Sequence, residues 1–554
     1  MNILKILIVL STLFSFQAFA QGLPFLSQDL GLTCDNLYGI QKRFIEDHIS
    51  FEKITPEIEA RMIDQFVERL DSQKLYFLDS DVKEIKKILN GVVTKTKKAD
   101  CKPIRQAFEI YVKRMNDRKK FAKSLLDKKF KINKKIELSL DPELREHPKT
   151  VAEANKAHAK YLNFQVSNYV ISDTPLKEAK KKVVANYERT YKKYKKFSDE
   201  DLYDIYLDSF AAGLDPHSNF FSQDELKDFQ ISMSLSLEGI GATLSSKDGF
   251  TVVEQLVPGG AAAKSGKLKP KDKIIAVGQG DDGDMTNVID MDLRDVVKQI
   301  RGPKGTKVKL SILRKKSEGT DRFSVLLVRD KIKLEDEAAS VDFIDRKIGK
   351  KKKKVALINL PSFYSDNKPN GRSASNDLKK LLKEVKKKKA DAVVFDVSMN
   401  GGGSLDEAVK VAGLFFKTGN VVKQSQEGQV GAEIPLADVD PEVQWSGPMV
   451  ILTSRISASA SEIVAGTLKD YRRAVVVGGD HTFGKGSVQQ VSPYQLGFKT
   501  IGALKTTVGM FFTAGGMSTQ HIGVDSHIEF PSIYTTDEIG EKTLDHSLPP
   551  KNIK

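Results

Sequence analysis

The sequence predicts a multidomain α/β protein with an α-helical N-terminal domain, a small β-domain and an α/β core. Three observations carry this. The 554 residues suggest about three to four domains at roughly 100–200 residues each. The composition, 40% hydrophobic and 29% charged, is ordinary globular material. The texture changes twice along the chain. Long, charged, periodic segments give way near Leu235 to short strands with Gly/Pro turns, and from about Val355 to strands alternating with helices.

The first 20 residues read as an export signal. Lys5 is the positive end, Ile6 to Phe16 the apolar stretch and Ala18-Phe19-Ala20 the cleavage site, so Gln21 should open the mature chain. The run is shorter than the roughly 20 apolar residues that a bilayer requires. No Cys follows the cleavage site to carry a lipid. An exported protein with no stable membrane span is expected.

The helical region runs to about Ser222, with helices over Pro56 to Leu70 and Pro175 to Lys196. Asp79 or Ser80 is expected to cap a helix that carries Val82, Ile85, Ile88 and Leu89 on one face. Nothing in this region suggests catalysis. Cys34 and Cys101 could pair in an oxidising compartment or stay free, and the sequence leaves both open.

The net charge of +15 comes from 88 Lys and Arg against 73 Asp and Glu. The Lys180–Lys182, Lys350–Lys354 and Lys386–Lys389 clusters read as solvated turns and helix faces. No aromatic residues interleave with them, so no nucleic-acid partner is expected. There is no CxxC and no HExxH, and the eight His are scattered, so no metal site is indicated.

In the β-domain, Phe250 to Leu256 alternates and Pro258-Gly259-Gly260 breaks it. A short helix over Ala261 to Ser265 follows, then a strand over Lys271 to Val277, a helix over Leu293 to Ile300 and a strand over Lys307 to Arg314. Together with the Gly-Ile-Gly-Ala loop and the Gly-Pro-Lys-Gly-Thr approach to the last strand, these elements resemble a PDZ domain. Such a domain adds a peptide to an open strand edge while loop N–H groups hold the peptide's terminal carboxylate. The resemblance implies that Gly239, Ile240, Gly241 and Ala242 form that loop.

The α/β core shows strands at Val355 to Leu360, Ala392 to Asp396, Met449 to Thr453 and Ala474 to Val477. Helices are expected over Leu405 to Phe415 and Ala460 to Lys469. The polar tail from Thr535 to Lys554 is expected to be peripheral. Gly479 to Lys485 matches GxxxxGK, but Gly486 stands where a phosphate-binding loop needs Ser or Thr, and Ser487 to Val491 reads as strand rather than helix. Nucleotide binding is therefore not expected.

The segment Ser457 to Glu462 turns from strand into helix, where free N–H groups and the helix dipole favour developing negative charge. It supports either a nucleophilic Ser or an ordinary capping box between Ser459 and Glu462. Lys485, between two glycines, is a candidate base if burial brings its pKa toward neutrality. Asn400 to Gly403 follows a strand and could converge N–H groups on an oxyanion.

These strings, with Asp470-Tyr471, Thr482 to Gln490, Gly515 to Gln520 and Asp215 to Ser218, resemble the carboxyl-terminal processing, or tail-specific, proteases of the Ser/Lys-dyad peptidase family. The long helical N-terminus resembles the periplasmic branch. The resemblance implies Ser459 as nucleophile and Lys485 as base. It implies Gln489, four residues on and on the same strand side, as the group that positions the lysine, and Asp470 as a further acidic residue. Ala460 with Gly401 or Gly402 would form the oxyanion hole.

One departure bears on the base: the turn Gly478 to Thr482 is one residue longer than usual, which could shift Lys485. The expected domains are residues 21–228 helical, 229–330 PDZ-like, and 331–554 peptidase with a short tail. The activity implied is serine endoproteolysis of proteins selected by their C-terminal tails, with no cofactor and with room for an adaptor protein. The alternative is an inactive PDZ adaptor or scaffold.

Overall fold

A computed structural model describes residues 31–551 except 128, 140, 317–318, 367 and 427–432. The expected signal segment lies outside the described residues.

Four helices of the N-terminal domain, Cys34–Asp47, Pro56–Asp71, Lys102–Leu125 and Asp199–Leu214, share a core containing Phe44, Phe66, Phe108 and Phe210. The second of them starts where the sequence favours it. Pro56 has no N–H to orphan, and Thr55 Oγ1 accepts from Ile58 N–H at 3.3 Å. The expected cap at Asp79 or Ser80 is displaced. The helix Asp79–Leu89 is capped at Leu78, and Asp81 reaches back to accept the Leu78 N–H at 2.7 Å. Cys34 and Cys101 are disulfide-bonded, which ties the starts of two of these helices together. Among the described residues no helix is long and apolar enough to cross a membrane.

The β-domain is a sheet in the order Ala242–Lys247, Phe250–Leu256, Lys273–Gln279, Lys307–Lys316, Gly319–Val328. The first strand is therefore an edge. Strands Ser236–Gly239 and Asp330–Lys333 pair antiparallel where the chain enters and leaves this domain.

The core sheet runs Ser340–Ile348, Lys351–Asn359, Ala392–Asp396, Met449–Thr453, Val475–Gly478, Ile528–Glu529, parallel except for its first pair. Helices Ala374–Lys387, Leu405–Gly413 and Ala460–Asp470 bury Leu378, Val411, Ile463 and Leu468 in one cluster with Ile358, Phe395, Ile451 and Val476 of the strands. A second sheet is built on the long strand Lys499–Thr513. It pairs with Ser487–Leu496, with Gly419–Gln426 and with Asn219–Ser222, a strand that follows directly on the helical domain.

The tail is not peripheral. Glu541 is 1% exposed, and Leu548 packs with Ile49, Met510 and Phe512. Its polar composition concealed a carboxylate whose partners, His217 and Gln520, lie far away in sequence.

Candidate active site

The strand Met449–Thr453 ends in the serine-rich turn, and the structure separates its serines. Ser457 and Ser461 are fully buried, and their hydroxyls donate to the carbonyls of Val397 and Asn400, each at 2.8 Å. Ser459 instead lines a cavity of about 1510 Å³. Its backbone sits at φ 56°, ψ −113°, a conformation L-residues rarely adopt, immediately before the helix Ala460–Asp470. The neighbours fix that conformation: Ala458 N–H donates to Asn400 O at 3.2 Å, and Ser459 N–H donates to Glu462 Oε2 at 2.7 Å.

Ala460 opens the helix, so its N–H has no intrahelical acceptor. The two glycines named from the sequence differ. Gly402 is buried, and its N–H already donates to Asn400 Oδ1 at 2.8 Å. A Cβ there would lie 2.9 Å from Ser459 Cβ, so this glycine permits close approach. Gly401 lines the cavity, and its N–H has no acceptor among the described residues.

Lys485 lines the same cavity. Burial, and then the charge of Lys505, push its pKa down to about 8, against the opposing pull of Glu541, Asp215 and Glu462. Its Nζ donates to Gln489 Oε1 at 2.6 Å. Lys485 lies just before the strand Ser487–Leu496, and the register shift beside Gln489 places the extra residue, Val508, on the facing strand. The long turn does not loosen the lysine. Glu462, fully buried, accepts from Thr482 Oγ1 at 2.6 Å, Gly484 N–H at 2.7 Å and Lys485 N–H at 2.9 Å. One carboxylate thus holds the backbone of both Ser459 and Lys485. Burial pushes its own pKa up to about 7.

Asp470 does not join this group. It stands at the far end of the same helix, roughly 16 Å from Ser459 at 1.5 Å per residue. It accepts from Thr513 Oγ1 at 2.6 Å and Gly515 N–H at 2.7 Å, and so ties the helix end to the strand behind it. The Gly239–Ala242 loop does not line the cavity either. Gly241 takes φ 71°, Ile240 O accepts from Ala262 N–H at 2.7 Å, and the N–H groups of Ile240 and Gly241 have no acceptor among the described residues.

Sequence reasoning missed Glu462 as more than a cap, and it missed the contribution of the helical domain. Asp215 Oδ1 accepts from Thr507 Oγ1 at 2.9 Å, and Thr507 Oγ1 accepts from Gln489 Nε2 at 3.1 Å. The only signal available was the string Asp215 to Ser218, which resemblance had flagged without a role.

A strained serine at a helix N-terminus, a half-buried lysine lining the same cavity and a β-domain beside them define a serine-type peptidase. The chain belongs to peptidase family S41, in its tail-specific protease branch. The peptidase model of that family matches residues 354–530, the tail-specific protease N-terminal domain matches 40–224, and a PDZ domain matches 228–313. The tail-specific protease of Haemophilus influenzae is 36% identical over 511 residues, covering 91% of this chain and 71% of that protein. The carboxy-terminal processing protease CtpA of Bacillus subtilis is 30% identical over 337 residues, covering 61% of this chain and 65% of that protein. A solved PDZ domain of a Vibrio cholerae carboxy-terminal protease, in complex with peptide, is 48% identical over 18% of this chain and all of that chain, with a TM-score of 0.17.

Proposed function

We propose that this protein is an exported, periplasmic endopeptidase that uses a Ser459/Lys485 dyad on proteins selected through their C-terminal tails. The observation that carries the reading is the shared cavity. Ser459 sits at a helix N-terminus opposite a lysine held near pKa 8, which is neutral often enough to act as a base.

Ser459 Oγ attacks the substrate carbonyl while its proton passes to Lys485 Nζ. The N–H groups of Ala460 and Gly401 hold the oxyanion. The lysine returns the proton to the leaving amine, leaving an acyl-enzyme. Water then attacks with Lys485 again as base, and Ser459 is regenerated. Gln489 holds Lys485 through its carbonyl.

Tail selection is assigned to the β-domain. Its edge strand Ala242–Lys247 can take a peptide as an added strand, and the free N–H groups of Ile240 and Gly241 lie at the strand's start, where a terminal carboxylate would sit. We infer the division into residues 21–228, 229–330 and 331–554, with 1–20 removed on export. The test is labelling by a serine-directed probe together with turnover of a tailed substrate. Wild type should do both and Ser459→Ala neither. Equal turnover by that variant would refute the assignment.

A further inference from the structure

The base in this reading is held by an amide, and an amide can face either way. Gln489 turned over would present its NH₂ to Lys485. That group would oppose the ammonium and capture the lone pair of the neutral amine. Something must therefore fix the polarity of the Gln489 side chain.

The hydrogen bonds behind it run in one direction. Gln489 Nε2 donates to Ser487 Oγ at 2.9 Å and to Thr507 Oγ1 at 3.1 Å. Thr507 can accept there because its own proton goes to Asp215 Oδ1 at 2.9 Å. Asp215 can only accept. It takes Ser218 Oγ at 2.5 Å, His48 Nε2 at 3.0 Å, His217 N–H at 2.8 Å and Ser218 N–H at 3.1 Å. His48 cannot reverse the order, because its Nδ1 accepts from Ser50 N–H at 3.0 Å and the ring proton must sit on Nε2. Burial alone would raise the Asp215 carboxyl. The donors around it, His48 foremost, outweigh burial and hold its pKa at about 2, so it stays an anion.

The placement is as specific as the polarity. Thr507 lies opposite Gln489 in the sheet, its N–H donates to Ser218 Oγ at 3.1 Å, and its carbonyl accepts from Ile49 N–H at 2.9 Å. Asp215 and His48 both belong to the helical domain and are 1% and 0% exposed.

We propose that Asp215, fixed by His48 and acting through Thr507 and Gln489, is a positioning residue that orients the acceptor end of Gln489 toward the general base. The helical domain is thereby part of the catalytic apparatus rather than an appendage. This rests on the reading of Lys485 as the base.

The test compares Thr507→Val, which keeps the β-branched shape and removes the hydroxyl, with Thr507→Ser, which restores the hydroxyl. Steady-state kinetics on a short peptide substrate are followed against pH. The titratable groups facing Lys485 are Glu462, Glu541, Asp215 and Lys505, with His217 beside them. None of these is altered by either substitution.

Thr507→Val should lower kcat about tenfold with KM within about twofold. It should also move the rising limb of the pH profile to lower pH, because an NH₂ facing Lys485 disfavours the ammonium. Thr507→Ser should restore both. Asp215→Asn, if it folds, should resemble Thr507→Val. A limb that moves to higher pH would mean that Lys485 had merely become more hydrated, and it would overturn the proposal, as would an unchanged kcat. Lys485→Ala, run in parallel, separates this failure from failure of the dyad itself: only if Lys485 is not the base does that variant keep turnover.

Discussion

The cavity has two walls of different construction. On the peptidase side, Ser459 and Lys485 are pinned by Glu462, Gln489 and the Asp215 chain through buried hydrogen bonds from several directions. On the other side, the β-domain helix Leu293–Ile300 faces the helix Gln223–Ser234 across exposed ion pairs: Lys298 to Asp224 at 2.6 Å, Arg294 to Glu225 at 3.6 Å and, just past the helix end, Arg301 to Asp228 at 2.7 Å. Buried networks are stiff because every unmade bond leaves a desolvated group. Exposed pairs are weak because water and salt screen them. In the proposed reading, the chemistry sits on the stiff wall, while the β-domain that carries the recognition loop is hung on exposed pairs.

The largest break is at the dyad. Ser459→Ala and Lys485→Ala should each lower turnover at least about a thousandfold while the protein stays folded. Because the pair acts as a unit, the double variant should be scarcely worse than either single one. Residual turnover near wild type in either variant would dissolve the comparison at its base.

Next is the disulfide behind the stiff wall. Cys34 and Cys101 lie 67 residues apart, and closing a loop of that length contributes roughly 4 kcal/mol by the chain-entropy model. Cys34→Ser/Cys101→Ser should lower the Tm of the helical domain clearly. Activity should fall only as that domain melts, since His48 and Asp215 leave with it. Thermal unfolding followed together with turnover checks this. Loss of activity well below the unfolding transition would contradict it.

These two experiments mark what was legible in the sequence. Helices and strands follow local patterns such as apolar periodicity, whereas the strand-to-helix turn at Ser459 and the lysine between glycines left the proposed dyad open until the resemblance pointed to it. The partners that hold the dyad follow none. Glu462 reads as a capping residue because its bonds to Thr482, Gly484 and Lys485 span 20 to 23 residues. Asp215 and Thr507 are 292 residues apart, and a lone Thr in a β-strand carries no sign of its neighbour. Asp470 shows the converse. It was flagged by resemblance, yet the helix carries it away from the chemistry. Which of Gly401 and Gly402 offers a free N–H depended on the orientation of one Asn side chain.

The β-domain should respond to the ligand's charge. Amidating the C-terminus of a tailed substrate removes charge-assisted bonds worth roughly 1.5–3 kcal/mol each. At limiting substrate, kcat/KM should fall about ten- to a hundredfold, mainly through KM, with short peptides affected less. Equal rates for acid and amide would show that the β-domain does not read the carboxylate.

Smaller again is the effect of pH on the stiff wall. Lys485, held at about 8, works only when neutral, so kcat should rise about tenfold per pH unit below that value and level off above it. The sign for stability follows from the same depression. The buried ammonium is disfavoured, so the stabilising contribution is present above the unfolded pKa, about 10.4, and is lost as pH falls through about 8. Lys485→Met should therefore be more stable than wild type at neutral pH, and the gap should close in alkali. A pH-independent difference in Tm would contradict a desolvated, titrating lysine.

The smallest effect is expected where the second wall meets the helix beside it. Lys298 and Arg301 are 53% and 38% exposed, and such pairs typically contribute about 0.2–1 kcal/mol. Lys298→Ala/Arg301→Ala should leave the Tm within about 2 °C of wild type. It should change kcat/KM on a tailed substrate less than about fivefold, and high salt should shrink even that difference, because salt already screens the pairs in wild type. The same substitutions should scarcely move the pH profile, since neither residue is among the charges that weigh most on Lys485. A salt-independent loss of tenfold or more would mean that these side chains touch the substrate or lock the wall in place. The β-domain would then belong to the fixed half of the molecule, and the contrast between the two walls would fail.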